Sequence, residues 1–339
     1  MKAPRQQARV HGPETKDQRP RALRWEHAPG NKLGDPKHCI ARRDFFRFAS
    51  GLAVLVGVRS GLSVSSADSS HRPGALVDVN VSISHWPTRR VEFDEAPELA
   101  KLLRSRGVSQ AWVGSLDGML HKDIAAANAR LARACAQNGR GLLLPFGTIN
   151  PVLPDWREEL RRCAEAHRMH GIRLYPNYHG YKLDDPASAS LLRAAAERGL
   201  IVQIALAMED ERMMHPLMRV APVDPTPLVR LVREIQGIRL VLINALRLVR
   251  GEPLGQLIRS GEVYVEISTL DGVGCVERLV TEIPVERVLF GSNAPLFYFE
   301  SAALKLRESS LSPTQLAALC AGNAIRLMPR GVGRGSRTP

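Results

Sequence analysis

Paired cysteines, long apolar runs and an internal basic stripe are all missing from this 339-residue chain. The five cysteines (Cys39, Cys135, Cys163, Cys275 and Cys320) are scattered with no Cys-x-x-Cys, which excludes a zinc knuckle and argues against a disulfide scaffold. The apolar stretch Phe48 to Val58 has 11 residues, short of the roughly 20 that span a bilayer. Stable membrane insertion is therefore not expected. No Gly-x-Gly-x-x-Gly follows a strand-like run, so the phosphate cradle of a doubly wound dinucleotide fold is absent. The net charge of +13 is not a nucleic-acid signal either. Residues 1–67 carry thirteen Lys/Arg against five Asp/Glu, and Arg330, Arg334 and Arg337 add three more charges. What lies between is nearly neutral, with no basic patch interleaved with aromatics.

What is present divides the chain into three. Residues 1–38, rich in Arg, Pro, Gln and Gly, have the composition of a disordered segment. Ala41-Arg42-Arg43-Asp44-Phe45-Phe46-Arg47 and the apolar stretch after it resemble a twin-arginine export signal, with Ser65-Ser66-Ala67 offering small residues for cleavage before Asp68. This predicts a signal over 42–67 and a periplasmic or otherwise exported protein. The alternative is a basic arm beside a short helix, in a cytoplasmic protein. Residues 75–328 form the second regime, and the Gly/Arg-rich stretch 329–339 reads as a disordered tail.

From Leu76 onward, short apolar runs alternate with helical patterns. Strands are expected at Leu76 to Val81, Val108 to Gly114, Leu142 to Thr148, Gly171 to Tyr175, Ile201 to Leu206, Arg239 to Ile243, Val263 to Ile267, and in Arg287-Val288-Leu289-Phe290. Between them, Ile124, Ala127, Leu131 and Cys135 recur at helical spacing, Asp155 with Glu158 reads as a capping box, and Ser312-Pro313 starts a terminal helix. Eight β/α units over about 250 residues predict a single α/β (β/α)₈ TIM-type barrel with a C-terminal helix.

The last strand ends Leu289-Phe290-Gly291-Ser292-Asn293-Ala294-Pro295, and the terminal helix reads Gly322-Asn323-Ala324-Ile325-Arg326-Leu327. Both strings resemble the amidohydrolase superfamily, in its amidohydrolase-related branch. The resemblance covers roughly residues 75–328. It implies a divalent metal, usually zinc, held by His-x-His from the first strand, one His each from the fifth and sixth, and Asp from the eighth. Here those positions are Asn80 and Ser82, Gln203, Asn244 and Asn293. None is ionisable, and neutral amides are poor zinc ligands. The usual metal site is therefore expected to be lost. The amides instead make a polar pocket floor, either satisfied within itself or reading a substrate.

Chemistry is richer on the loops. His121 and His179 are the candidate acid/base residues, since imidazole titrates near neutrality. Glu266, closing the seventh strand, is a further candidate base or a partner for a cation. Lys122, Arg173, Lys182 and Arg247 are candidates for holding a carboxylate or an oxyanion, with Asn80, Gln203, Asn244 and Asn293 orienting the substrate. His121 and His179 with Glu209 or Asp210 would also suffice for a displaced metal centre, which leaves the cofactor open. His85-Trp86-Pro87 is either an aromatic pocket wall or a plug in the barrel mouth. The expected activity is hydrolysis, or a lactonase- or decarboxylase-like reaction, on a small carboxylate- or carbonyl-bearing molecule. A non-catalytic barrel binding a small molecule or partner protein is the alternative.

Overall fold

Apolar runs rich in Val, Ile and Leu build eight parallel strands: β1 (Leu76–Ile83), β2 (Val108–Ser115), β3 (Leu143–Thr148), β4 (Gly171–Leu174), β5 (Ile201–Ala205), β6 (Arg239–Ile243), β7 (Val263–Glu266) and β8 (Val288–Leu289). The computed structural model describes residues 75–139 and 141–328. The signal motif expected within 42–67 and the tail 329–339 lie outside the described residues.

The strands pair in chain order, with helices between them. The seam between β8 and β1 is closed by Val79 N donating to Phe290 O (3.0 Å), Ser82 N donating to Ala294 O (2.8 Å), and a parallel bridge between Val81 and Ala294. The result is a nearly closed TIM-type barrel. Alternation along each strand sends one set of side chains outward against the helices and the other into the barrel. The outer set, including Val113, Ile172, Val202 and Leu242, packs with helix residues such as Leu99, Leu131, Leu191 and Leu257 in one continuous core. Each such side chain contributes about 2 kcal/mol by burial. The inner set includes Trp112, Phe146, Ile201, Val241 and Leu289, with Trp112 and Phe146 stacked at 5.0 Å.

Both ends of the barrel are covered. At the amino end, Asn323 Nδ2 donates to the carbonyls of Val285 (2.7 Å) and Val288 (2.6 Å), and Arg239 Nη1 donates to Leu327 O (2.7 Å). These bonds seat the terminal helix, whose Ala324 and Leu327 join the inner core. At the carboxyl end, Trp86, Met119, Met208 and Leu296 are buried in that same core. Trp86 therefore packs into the mouth as a plug.

Two local expectations change. β8 shrinks to two residues because Phe290 N turns away to donate to Leu319 O (3.2 Å). The capping box at Asp155 is not formed: its side chain caps nothing, and Glu158 is held by Arg161 and Arg162 instead. The box does form at Ser312, whose hydroxyl accepts from Gln315 N while the Gln315 side chain accepts from Ser312 N. Among the described residues, no helix is long and apolar enough to cross a membrane.

Candidate active site

The carboxyl ends of β1, β6, β7 and β8 carry a polar floor built around Glu266. Its Oε1 accepts from Asn244 N (2.7 Å), Asn80 Nδ2 (3.2 Å) and Ser268 Oγ (2.7 Å), and its Oε2 accepts from Ser268 N (2.6 Å). Gly291 leaves room for this carboxyl group, since a Cβ there would sit 2.9 Å from Glu266 Cδ. Asn80 Nδ2 also donates to Asn244 Oδ1 (2.8 Å), and Asn244 Nδ2 donates to Ala207 O (2.8 Å). With acceptors on that side, the Asn80 amide is fixed with its oxygen pointing away from Glu266. That oxygen and both amide atoms of Asn293 are buried with no partner among the described residues.

Asn244 (φ 55°) and Asn293 (φ 56°) both adopt the left-handed backbone conformation. Asn, Asp and His are the non-glycine residues that tolerate it best. The same backbone therefore accepts the His and Asp implied by the resemblance and the Asn found here.

Asp78, two residues before Asn80, ties β1 to the segment after β8. Its Oδ1 accepts from Asn80 N (3.1 Å) and Ser292 N (3.0 Å), while Oδ2 is unpartnered among the described residues. Burial pushes its carboxyl up to about 7, against the lowering effect of those bonds. Neither Asp78 nor Ser268 was a candidate from the sequence. Their only signal is strand parity, two residues from Asn80 and Glu266 respectively.

Arg173 lies on β4, fully buried inside the barrel. Nε donates to Gln203 Oε1 (2.7 Å), Nη1 to Val81 O (2.9 Å) and Ser82 Oγ (3.2 Å), and Nη2 to Trp112 O (3.2 Å) and Val79 O (3.5 Å). All five guanidinium N–H groups are thereby used within the barrel. Gln203 Nε2 donates to Val79 O (2.7 Å), so that amide is satisfied at both ends.

A cleft of about 470 Å³ opens at the ends of β5 to β8, with Met208, Glu209, Asn244, Arg247, Thr269 and Phe297 among its lining. Glu209, its side chain 5% exposed, pairs with Arg89 Nε at 3.2 Å. Burial raises the Glu209 carboxyl above its ordinary range, against the lowering by Arg89. Arg247 bonds Asp271 (3.0 Å) and Asp210 (2.6 Å), and Arg212 bonds Asp210 (2.6 Å). Arg212, with Arg247 adding, holds Asp210 well below the usual carboxylate range. The cleft's own arginines are therefore already engaged by acids. Arg89, which no local pattern marks, was not a candidate from the sequence.

The loop candidates are dispersed. His121 is exposed, with Asp117 at 3.8 Å and Arg130 at 3.4 Å. His179 Nε2 donates to Gly118 O (3.2 Å) between the rings of Tyr175 and Tyr181, and burial lowers its pKa. Its Nδ1 is buried without a partner among the described residues. Lys122 and Lys182 are exposed and line two separate clefts away from Asn244. The structure thus groups Asn80, Asn244 and Glu266, groups Arg173 with Gln203 and Ser82, and leaves His121, Lys122 and Lys182 outside both groups.

Among the described residues, the one His/Cys/Asp/Glu group with ligating atoms within 4.8 Å of one another is His85, Asp94 and Glu95. It lies on the wall of a wider hollow of about 1050 Å³ along residues 85–105, outside the floor. There His85 Nδ1 bonds Asp94 Oδ2 at 2.7 Å, and Asp94 raises the imidazole pKa. His121, His179, Glu209 and Asp210 form no such group.

Residues 93–330 match the family model described as Amidohydrolase. The chain belongs to the amidohydrolase family. Solved structures similar to this amidohydrolase barrel include 2,6-dihydroxybenzoate decarboxylase from Rhizobium (TM-score 0.58, 14% identity, 75% of this chain and 98% of that one). Another is 5-carboxyvanillate decarboxylase from Sphingomonas paucimobilis (TM-score 0.56, 16% identity, 75% and 99%). A third is a dihydroxybenzoic acid decarboxylase from Polaromonas sp. JS666, with bound manganese and the inhibitor 2-nitroresorcinol (TM-score 0.57, 13% identity, 75% and 96%). At these identities the likeness is one of fold. No curated protein matches.

The amidohydrolase family implies a divalent metal, and the residues here do not fit one. The five ligand positions offer neutral amides and a hydroxyl. Gln203 and Ser82 are bonded to a cation already in place, and Asn244 Oδ1 receives Asn80 Nδ2 and lies 3.0 Å from Ser268 Oγ.

Proposed function

We propose that this amidohydrolase-family barrel is a hydrolase, or a lactonase- or decarboxylase-like lyase, that acts on a small carbonyl-bearing molecule in the β5–β8 cleft. The observation that carries the reading is Glu209: a carboxyl raised by burial, on the cleft wall, beside Asn244. A carboxyl raised toward neutrality exchanges a proton with a substrate more readily than an ordinary one. Glu209 is favoured over His121, which is exposed and paired with Asp117, and over His179, which does not line this cleft. Asn293 Nδ2 is buried without a partner among the described residues and does not line this cleft, so it is not among the groups that meet the substrate. Because Arg212 and Arg247 are engaged by Asp210 and Asp271, a substrate carboxylate meets no unpaired arginine on this cleft's lining, which favours the hydrolase or lactonase-like reaction over decarboxylation. The paired Arg42-Arg43 motif supports export of this activity.

The test is a panel of lactones, esters, amides and aromatic carboxylates incubated with the full chain and followed by mass spectrometry. For a substrate so found, Glu209→Gln is expected to lower kcat on the order of 100-fold or more, while His121→Ala leaves it unchanged. Retained turnover in Glu209→Gln refutes the assignment. The second reading, a non-catalytic binding barrel, is favoured by the fully bonded Glu266 and Arg173 at its centre. A panel member that binds and is recovered intact supports it.

A further inference from the structure

Arg173 stands in an unusual place for a buried arginine. Its guanidinium bonds the side chains at two of the five positions where the family's metal ligands would stand, Gln203 at 2.7 Å and Ser82 at 3.2 Å. The remaining donors go to three main-chain carbonyls, Val79, Val81 and Trp112. Two of these lie at the register shift in β1 between Asp78 and Val81, where an extra residue interrupts the ladder with β2. The space is kept open by Gly114, since a Cβ there would come within 2.6 Å of Arg173 Nη1. Gly114, Gln203, Ser82 and the bulged strand thus form a cradle of guanidinium shape, with acceptors for every N–H.

We propose that the Arg173 guanidinium is this barrel's built-in counterpart of the family's divalent ion. It is a covalently tethered cation that bonds two of the five ligand positions, joins β1, β2, β4 and β5, and excludes a second cation from them. The chemistry on both sides agrees. A guanidinium is satisfied by neutral amide, hydroxyl and carbonyl oxygens, the donor set least suited to zinc. Burial opposes the charge, and Tyr175, Glu266 and Asp78 lie close enough to offset part of that effect. A divalent ion added to the same set would sit against a fixed positive charge with no thiolate or imidazole to compensate. Replacing the ion and replacing its ligands are on this account one change, since a guanidinium and a zinc ion require different partners in the same space.

The proposal is independent of whether Glu209 moves protons, and its test reads metal content and melting temperature rather than turnover. All chains carry His85→Ala, which removes the surface His85–Asp94–Glu95 group as a source of bound metal. Three of the five ligand positions, enough imidazoles for one zinc ion, are restored by Asn80→His, Ser82→His and Gln203→His, once with Arg173 kept and once with Arg173→Ala. After zinc exposure and desalting, stoichiometric zinc is expected only in the chain lacking Arg173. Zinc bound equally with Arg173 present overturns the proposal. The wild-type side chains at 80, 82, 173 and 203 supply the arm that needs no refolded core. There the melting temperature should be the same with zinc, manganese or chelator, and a stoichiometric ion whose removal lowers it overturns the proposal. Arg173→Ala alone, which removes the bonds to Gln203 Oε1, Ser82 Oγ and the Val81 and Trp112 carbonyls, should lower the melting temperature on the order of 10 °C. An unchanged value also overturns it.

Discussion

Replacing Asp78 with Asn should alter the pH dependence of stability in a calculable way. Asp78 is fully buried and accepts two backbone N–H bonds on Oδ1, while Oδ2 has no partner among the described residues. Burial pushes its carboxyl from 3.8 up to about 7, with nearby Glu266 adding a smaller push. A carboxyl whose folded pKa lies above its unfolded one is more protonated in the native state between the two values. The contribution of Asp78 to stability is therefore greatest below about pH 4, falls as pH rises to about 7, and is flat beyond. The gap corresponds to about 4 kcal/mol in all, of which about 2 kcal/mol is lost by about pH 5.5. Asn keeps the shape and the accepting oxygen but cannot ionise. Its new amide N–H₂ costs about 1–3 kcal/mol if unpaired, and this offset does not change with pH. Urea unfolding of both chains, followed by circular dichroism from about pH 4 to about pH 8, measures the difference. Other titrating groups such as His85 and Glu158 are common to both proteins and cancel. The variant should gain about 4 kcal/mol on the wild type across that range. A difference that stays constant with pH refutes the argument.

Two further outcomes test the floor. Glu266→Gln places an amide N–H₂ against at least one of the donors now pointing at the carboxyl group, so a loss of about 2–3 kcal/mol is expected. Urea unfolding checks it, and a loss below about 0.5 kcal/mol, the range of an ordinary surface change, contradicts a central role for this carboxyl. Gly291→Ala would press a methyl into Glu266, 2.9 Å from its Cδ. The carboxyl is held by the bonds that organise Asn244 and Ser268 and cannot step aside freely. A cost of about 1–3 kcal/mol is expected, again by denaturation, and a variant as stable as the wild type would show that the floor yields.

The arrangement gives the mouth of this barrel an unusual electrostatic character. A fixed cation and a fully bonded Glu266 lie in the middle, uncharged amides beside them, and paired ions around the cleft. Each orphaned amide atom costs free energy until a ligand or water satisfies it.

Much of this protein is written locally. The period-two and period-3.6 patterns gave eight strands and their intervening helices, because those repeats follow from the geometry of the backbone. The Leu289 to Pro295 string and the Gly322 to Leu327 helix carried the family resemblance, and that resemblance assigned Asn80, Ser82, Gln203, Asn244 and Asn293 to the ligand positions. Where local pattern failed, another partner had intervened: distant Leu319 drew away Phe290, and Arg161 with Arg162, one helical turn on, occupied Glu158.

The roles of the polar side chains were decided only by tertiary structure. Arg173 reads in the sequence as a free cation for substrate. Its donors are spent on residues up to 94 positions away. Glu266 reads as a base, and folding surrounds it with donors from β1, β6 and its own strand end. Glu209 was one of several loop acids until burial beside Arg89 set it apart. Alternation fixes which residues enter the barrel. Which of them then meet depends on closing eight strands into a ring, and no local spacing encodes that closure.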